Sequence, residues 1–141
     1  MVLKLSVKSD YAARALLSLA RRYSSGAPTR LEDIATENGL PANYLVQILI
    51  ELKSRQIVRS VRGKDGGYQL ARPPAEISLA DVLECIHGSL FDPPALADSQ
   101  CPGELRDAWH RLQTAVVTEA RRINFQTLLE ATNDRDRMFY I

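Results

Sequence analysis

Apolar positions along the chain fall into helical rows, interrupted once by a short alternating stretch. In residues 8–23, Ala12, Ala15, Leu16, Leu19 and Tyr23 make one stripe, and the run SSGAP at 24–28 ends it. Thr29 opens a second, shorter helix. Thr29 and Glu32 have capping-box spacing, in which each side chain satisfies a free backbone N–H at the helix start. Leu31, Ile34 and Ala35 form its apolar face, and Gly39 is a stop signal. Pro41 belongs in the first turn of a third helix, where its missing N–H costs nothing. There Leu45, Ile48, Leu49 and Leu52 form the inner face, while Asn43, Val46, Gln47, Ile50 and Lys53 form the outer one.

The period then changes. Arg59–Arg62 alternates like a strand, with Val61 apolar between Ser60 and Arg62. Gly63 to Gly67 reads as a turn, and Tyr68–Leu70 as the returning strand. Gly66 and Gly67 supply the backbone freedom that a short hairpin loop needs. A short helix, a glycine turn and a second amphipathic helix make a helix-turn-helix. A basic hairpin directly after it makes a winged helix.

Pro73 and Pro74 close that region. Ser78 with Asp81 is another capping-box pair, and Leu79, Val82, Leu83 and Ile86 face one side of a helix ending near His87 and Gly88. Residues 89–101, SLFDPPALADSQC, have no period and read as a loop long enough to suggest function or disorder. From about Pro102 to Ile123, a long helix carries Leu105, Trp109, Leu112, Val116 and Ala120 in a near-heptad stripe. A helix of this length on a small domain needs something to cover its stripe. The simplest cover is a second copy of the chain in a two-fold dimer; the alternative is packing back on the first helix. Asn124 caps a final short helix with Phe125, Leu128 and Leu129, and the charged run from Asn133 to Arg137 is expected to be loose. The fold expected is therefore mainly α with a small β-hairpin wing. Residues 1–75 form a winged helix-turn-helix, and residues 76–141 a sensor loop with dimerisation helices.

Composition narrows the function. With 141 residues, 45% hydrophobic and 25% charged, the chain is ordinary for a globular domain. No apolar run approaches a membrane span, and the N-terminus lacks the pattern of a signal peptide. Two cysteines do not make a disulfide framework. A cytoplasmic location without membrane contact is the expectation. Charge is unevenly placed: residues 1–72 carry 12 Lys and Arg against 6 Asp and Glu, net +6, and residues 73–141 carry 6 against 11, net −5. One half is suited to a polyanion.

The hairpin concentrates that charge. Arg59, Arg62, Lys64 and Arg72 face a single acid, Asp65. Such a hairpin can lie along phosphates or in a narrow groove, or it can simply be a solvated face. Asn43 and Gln47 are neighbours at i, i+4 on the exposed side of the third helix, and both carry amides able to read base edges. Tyr44 can donate to a phosphate. The two function classes are a sequence-specific binder of double-stranded DNA and a winged-helix protein-interaction module. The charge placement favours the first. No nucleophile–base pair, phosphate-cradling loop or metal-ligand spacing points to an enzyme.

Together these segments resemble the IscR/NsrR-type family of bacterial winged-helix transcriptional regulators. The likeness rests on KLSVKSDYAARALLSLA, LEDIATENGLPANYLVQIL, IVRSVRGKDGGYQLARPPAEISLADVLECIHG and the AWHRLQ helix, so it covers nearly the whole chain. It implies a homodimer on a palindromic operator, with the long C-terminal helices crossing at the interface. Matching the motifs places Pro41, Asn43, Tyr44 and Gln47 on the base-reading face, Arg62 and Gly63 in a minor-groove wing, and Lys4 and Lys8 near phosphates. Val46 stands where the cluster-binding regulator of the family has a glutamate, so operator preference does not carry over. Many members bind an iron–sulfur cluster through three loop cysteines, a pattern absent here. Cys101 alone is in the loop, Cys85 lies in a helix, and His87 and His110 do not match the ligand spacing. A two-cysteine cluster completed by a histidine and a carboxylate stays open, although the helix position used for that carboxylate reads Lys8, with Asp10 near. The cofactor is therefore unassigned. A thiol switch at Cys101, placed at the cap of the long helix, competes with it, as does a small ligand in the dimer crevice. Cys85 reads as a small core residue.

Overall fold

The computed structural model describes residues 5–131. Helix α1 spans Val7–Arg21. Ser6 caps it, its hydroxyl accepting from the Ser9 N–H at 3.0 Å, and Asp10 and Arg21 sit at the ends that the helix dipole favours. The helix stops before Tyr23, which enters a separate 3₁₀ turn, Tyr23–Ser25, and is exposed. The apolar stripe therefore ends at Leu19, a turn earlier than the spacing predicts.

Helix α2 spans Leu31–Asn38 and α3 spans Ala42–Ser54. The Thr29–Glu32 capping box does not form. Arg30 is the N-cap residue and contributes no side-chain cap. Thr29 is used differently: its N–H donates to the Tyr68 carbonyl at 2.9 Å, and the Tyr68 N–H donates to the Thr29 carbonyl at 2.8 Å. Backbone pairing with the hairpin displaced the capping geometry. Pro41 is the N-cap of α3 rather than part of its first turn.

Strands β1 (Val58–Val61) and β2 (Gly67–Leu70) are antiparallel, with Val58 opposite Leu70 and Val61 opposite Gly67. The hairpin starts and turns one residue earlier than expected, with the Gly66 N–H donating to the Gly63 carbonyl at 3.1 Å. Gly67 has a reason beyond loop freedom. It adopts φ +151°, and a Cβ there would stand 2.3 Å from the Thr29 carbonyl oxygen. The close approach of the Thr29 segment requires a residue with no side chain.

One core holds these elements together. Ala12, Ala15 and Leu16 of α1, Ile34 of α2, and Leu45, Ile48, Leu49 and Leu52 of α3 are fully buried. Burying each Leu or Ile contributes about 1.5–3 kcal/mol. Ile57, Val58 and Leu70 root the hairpin in the same cluster, which also takes in Ile77, Val82 and Phe125 and so continues past residue 75.

Helix α4 spans Leu79–His87, and here the capping box forms as read. The Ser78 hydroxyl accepts from the Asp81 N–H, and the Asp81 carboxylate accepts from the Ser78 N–H at 2.9 Å. Helix α5 spans Gly103–Arg122. Its end is tied back to the start of α4: the Leu79 N–H donates to the Ile123 carbonyl at 2.9 Å and the Phe125 N–H to the Ile77 carbonyl at 3.0 Å. A last helix occupies 125–131, capped by the Asn124 side chain accepting from the Thr127 N–H at 2.9 Å. The loop before α5 is more structured than its lack of period implies. It contains a 3₁₀ turn, Pro94–Ala97, and buries Phe91 and Pro93. Gln113 donates to the Phe91 carbonyl at 2.9 Å, and Arg106 to the carbonyls of Asp98 and Cys101 at 2.7 and 3.0 Å.

Candidate nucleic-acid interface

The turn between α2 and α3 fixes how α3 is presented. Gly39 is left-handed (φ 64°, ψ 38°). The Leu40 N–H reaches the Ala35 carbonyl at 2.9 Å and the Gly39 N–H the Thr36 carbonyl. This Schellman pairing satisfies the terminal carbonyls of α2, and buried Leu40 supplies its apolar contact. With Leu45, Ile48 and Leu49 fully buried, the rotation of α3 about its axis is determined. The opposite row, Asn43, Gln47 and Ile50, must face out, and all three are exposed. Neither amide has a hydrogen-bond partner among the described residues, so both remain available to base edges. Exposed Pro41 leads the helix. Tyr44 flanks the row and stands edge-on to Tyr11, ring centroids 5.8 Å apart, with the Arg14 guanidinium over the Tyr11 ring.

Besides the Thr29–Tyr68 backbone pair, side chains fasten the wing to this unit. Arg30 donates to the Lys64 carbonyl at 2.7 Å, and Lys53 of α3 to the Ser60 hydroxyl at 2.8 Å. Arg59 lies along the hairpin and donates to Gln69 at 3.0 Å. Arg62, Gly63 and Lys64 form the exposed tip. Among the described residues, Arg30, Lys53, Arg55, Arg59, Arg62 and Lys64 have no carboxylate partner. Other cations are paired, Arg14 with Asp10, Arg22 with Glu37 and Arg121 with Glu84, while Arg21, Arg72, Arg106 and Arg111 also have no carboxylate partner among the described residues. Arg59, Arg62 and Lys64 of the hairpin and Lys53 of α3 thus carry unpaired charge in the same winged-helix unit as Asn43 and Gln47.

Two residues expected near phosphates fare differently. Lys8 pairs with Glu51 of α3, so its charge is met within the chain. Lys4 lies outside the described residues. Arg30 was not singled out from sequence. It precedes a helix start, where a cation is not favoured; that mismatch was the available signal.

The second half presents a different chemistry. Leu105 and Leu112 are 46% exposed, Trp109 and Val116 half-buried, and Ala120 buried. Cys85 is half-buried beside the core, and its thiol donates to the Glu51 carbonyl at 3.4 Å. Burial pushes this thiol above its ordinary range, with Glu51 adding and Arg55 and Lys8 opposing. Cys101 is one residue outside the helix rather than at its cap: Pro102 is the N-cap of α5. Among the described residues, no three His, Cys, Asp or Glu side chains converge on a point where a metal ion could sit. The described residues of one chain therefore do not bring together a donor set for an iron–sulfur cluster. No described helix is long and apolar enough to cross a membrane.

Residues 5–131 match the family model described as Rrf2, iron-dependent transcriptional regulator. The chain belongs to the Rrf2 family. It is 40% identical over 119 residues to an HTH-type transcriptional regulator of Mycobacterium tuberculosis, covering 81% of this chain and 73% of that one. It is 31% identical over 141 residues to CymR of Bacillus subtilis, covering 99% and 100%. The solved structure of B. subtilis CymR superposes with a TM-score of 0.83 at 27% identity, covering 93% and 98% of the two chains. That of T. potens IscR gives 0.76 at 29%, covering 92% and 88%. As an Rrf2 protein with a winged helix, the chain is a DNA-binding transcriptional regulator and not an enzyme.

Proposed function

We propose that this Rrf2 chain acts as a homodimer on a palindromic operator. In this reading α3 enters the major groove with Asn43 and Gln47 against base edges, while Pro41 and Tyr44 meet the backbone at its edge. Arg62 and Gly63 bring the wing tip to the minor groove, and Arg59 and Lys64 flank it on phosphates. Residues 1–75 are the reading head, and residues 76–141 join the two copies through Leu105, Trp109, Leu112, Val116 and Ala120. The observation that carries this reading is the pair of unbonded exposed amides on α3, followed in the same unit by a hairpin whose Arg59, Arg62 and Lys64 have no carboxylate partner. An interaction module would not need that combination.

Fluorescence anisotropy on a labelled duplex tests it directly. Affinity should fall steeply with salt on any duplex, and one sequence should be bound far above the rest. Salt-insensitive binding, or no binding, would return the chain to the interaction-module reading.

The signal passes through thiol chemistry or a small ligand rather than a cluster held by one chain. Two cysteines with no third converging ligand among the described residues support this. B. subtilis CymR is described as a global cysteine regulator, and S. aureus CymR, 31% identical in its oxidized form, has a TM-score of 0.72 to this chain. Iron and sulfide analysis of protein purified without oxygen checks it. Stoichiometric iron with visible absorption would mean a cluster completed across two protomers.

A further inference from the structure

The exposed row of α3 is not wholly polar. Ile50 is 54% exposed, a large aliphatic side chain turned to solvent. It sits seven residues after Asn43 and three after Gln47, on the same line of the helix. Val46, half-buried, lies beside it. The rise per residue puts Asn43 and Ile50 about 10 Å apart along the axis, roughly three base-pair steps. At the next turn the surface becomes cationic: Lys53 is bound to Ser60 at the wing root. Ile50 and Val46 thus form an apolar patch with the Asn43 and Gln47 amides toward the helix start and the Lys53 ammonium toward its end. A solvated helix face has no need of an aliphatic pair there, and a phosphate has no use for one.

We propose that Ile50 and Val46 are specificity-determining residues that read the 5-methyl groups of thymine in the major groove. The only apolar group that a base pair offers in that groove is this methyl. Gln47, between the two, has the amide that pairs with the adenine edge. An A·T step is then read twice, by the Gln47 amide on adenine and by an aliphatic contact on its thymine or the neighbouring one. The surrounding cations commit the patch to a polyanion rather than to an apolar protein partner. The proposal rests on α3 being the major-groove helix.

The test uses the full chain and a random-sequence duplex pool. After selection, each thymine of the enriched duplex is replaced by deoxyuridine, which removes the methyl and nothing else. Wild-type protein should lose about fourfold in affinity at one or two thymines, the worth of one buried methyl. With Ile50→Ala or Val46→Ala that penalty should vanish while binding to the deoxyuridine duplex stays at the wild-type level. Ile50 is exposed, so its truncation should leave the melting temperature unchanged. Deoxyuridine tolerated at every position, while exchange of whole base pairs is not, would overturn the methyl reading and leave the operator-binding reading standing. A pool that yields no enriched sequence would overturn both.

Discussion

Helices α3 and α5 are both amphipathic, and they use their apolar faces in opposite ways. Over 13 residues, α3 buries Leu45, Ile48, Leu49 and Leu52 completely within its own chain. Over 20 residues, α5 buries only Ala120 and leaves Leu105 and Leu112 about half open. The difference lies in what each helix packs against. Helix α3 is enclosed by α1, α2, α4 and the hairpin root, so its apolar face is satisfied inside one chain. Helix α5 touches α4 and the 3₁₀ turn before it, which cover little of its stripe. One helix is a finished part with a functional outer face; the other is unfinished until something covers it. The net charges of +6 and −5 on the two halves follow the same division.

The largest effect should come from removing core. Leu49→Ala is expected to cost 2–5 kcal/mol, read by denaturant unfolding; a loss under 1 kcal/mol would mean that α3 is not anchored as described. Charging the open stripe should separate the halves instead. Leu112→Asp is expected to weaken self-association at least about 30-fold, some 2 kcal/mol, in sedimentation, with little change in far-UV circular dichroism. Unaltered association would assign the α5 stripe to another role. Because Trp109 is half-buried in one chain, Trp109→Ala belongs with this variant and not with the core.

The reading face is probed next. Arg62→Ala should reduce the slope of log affinity against log salt by about one, with the greatest loss on A·T-rich minor-groove sites. An equal loss on all sequences would reduce Arg62 to a phosphate contact. Ser78→Ala removes the α4 cap and should cost about 1 kcal/mol, equally visible with and without DNA.

The smallest effect is a pH dependence. The Cys85 thiol is raised above its ordinary value of 9.0 by burial. As pH climbs through that value the unfolded thiol ionises first and the folded one keeps its proton, so stability is lost with rising pH. Melting temperatures of wild type and Cys85→Ala should converge across that range. Parallel curves would mean that the thiol is as well solvated folded as unfolded.

Much of this molecule was legible from spacing. The rows of α1, α3 and α4, the Ser78–Asp81 box, the Gly39 stop and the Asn124 cap are local features, set by residues a few positions apart. The candidate reading face was legible too, because a helix that buries Leu45, Ile48 and Leu49 must expose Asn43, Gln47 and Ile50. Most of the differences come from residues distant in sequence. Thr29 was read as a cap, yet Tyr68, distant in sequence, claimed its backbone. Lys8 was expected near phosphates, and Glu51 meets its charge within the chain. Cys101 was placed at a helix cap that Pro102 occupies. The loop at 89–101 has no period, yet Gln113 and Arg106 of α5 hold it.

Sequence by itself determined which residues of α1 and α3 turn inward and which turn outward, because side-chain direction along a helix follows from its period. Only the tertiary structure decided which charges stay unpaired, which glycine must lack a side chain and which apolar stripe stays open. Each depends on residues far apart in the chain meeting in space, and periodicity carries no information about such meetings.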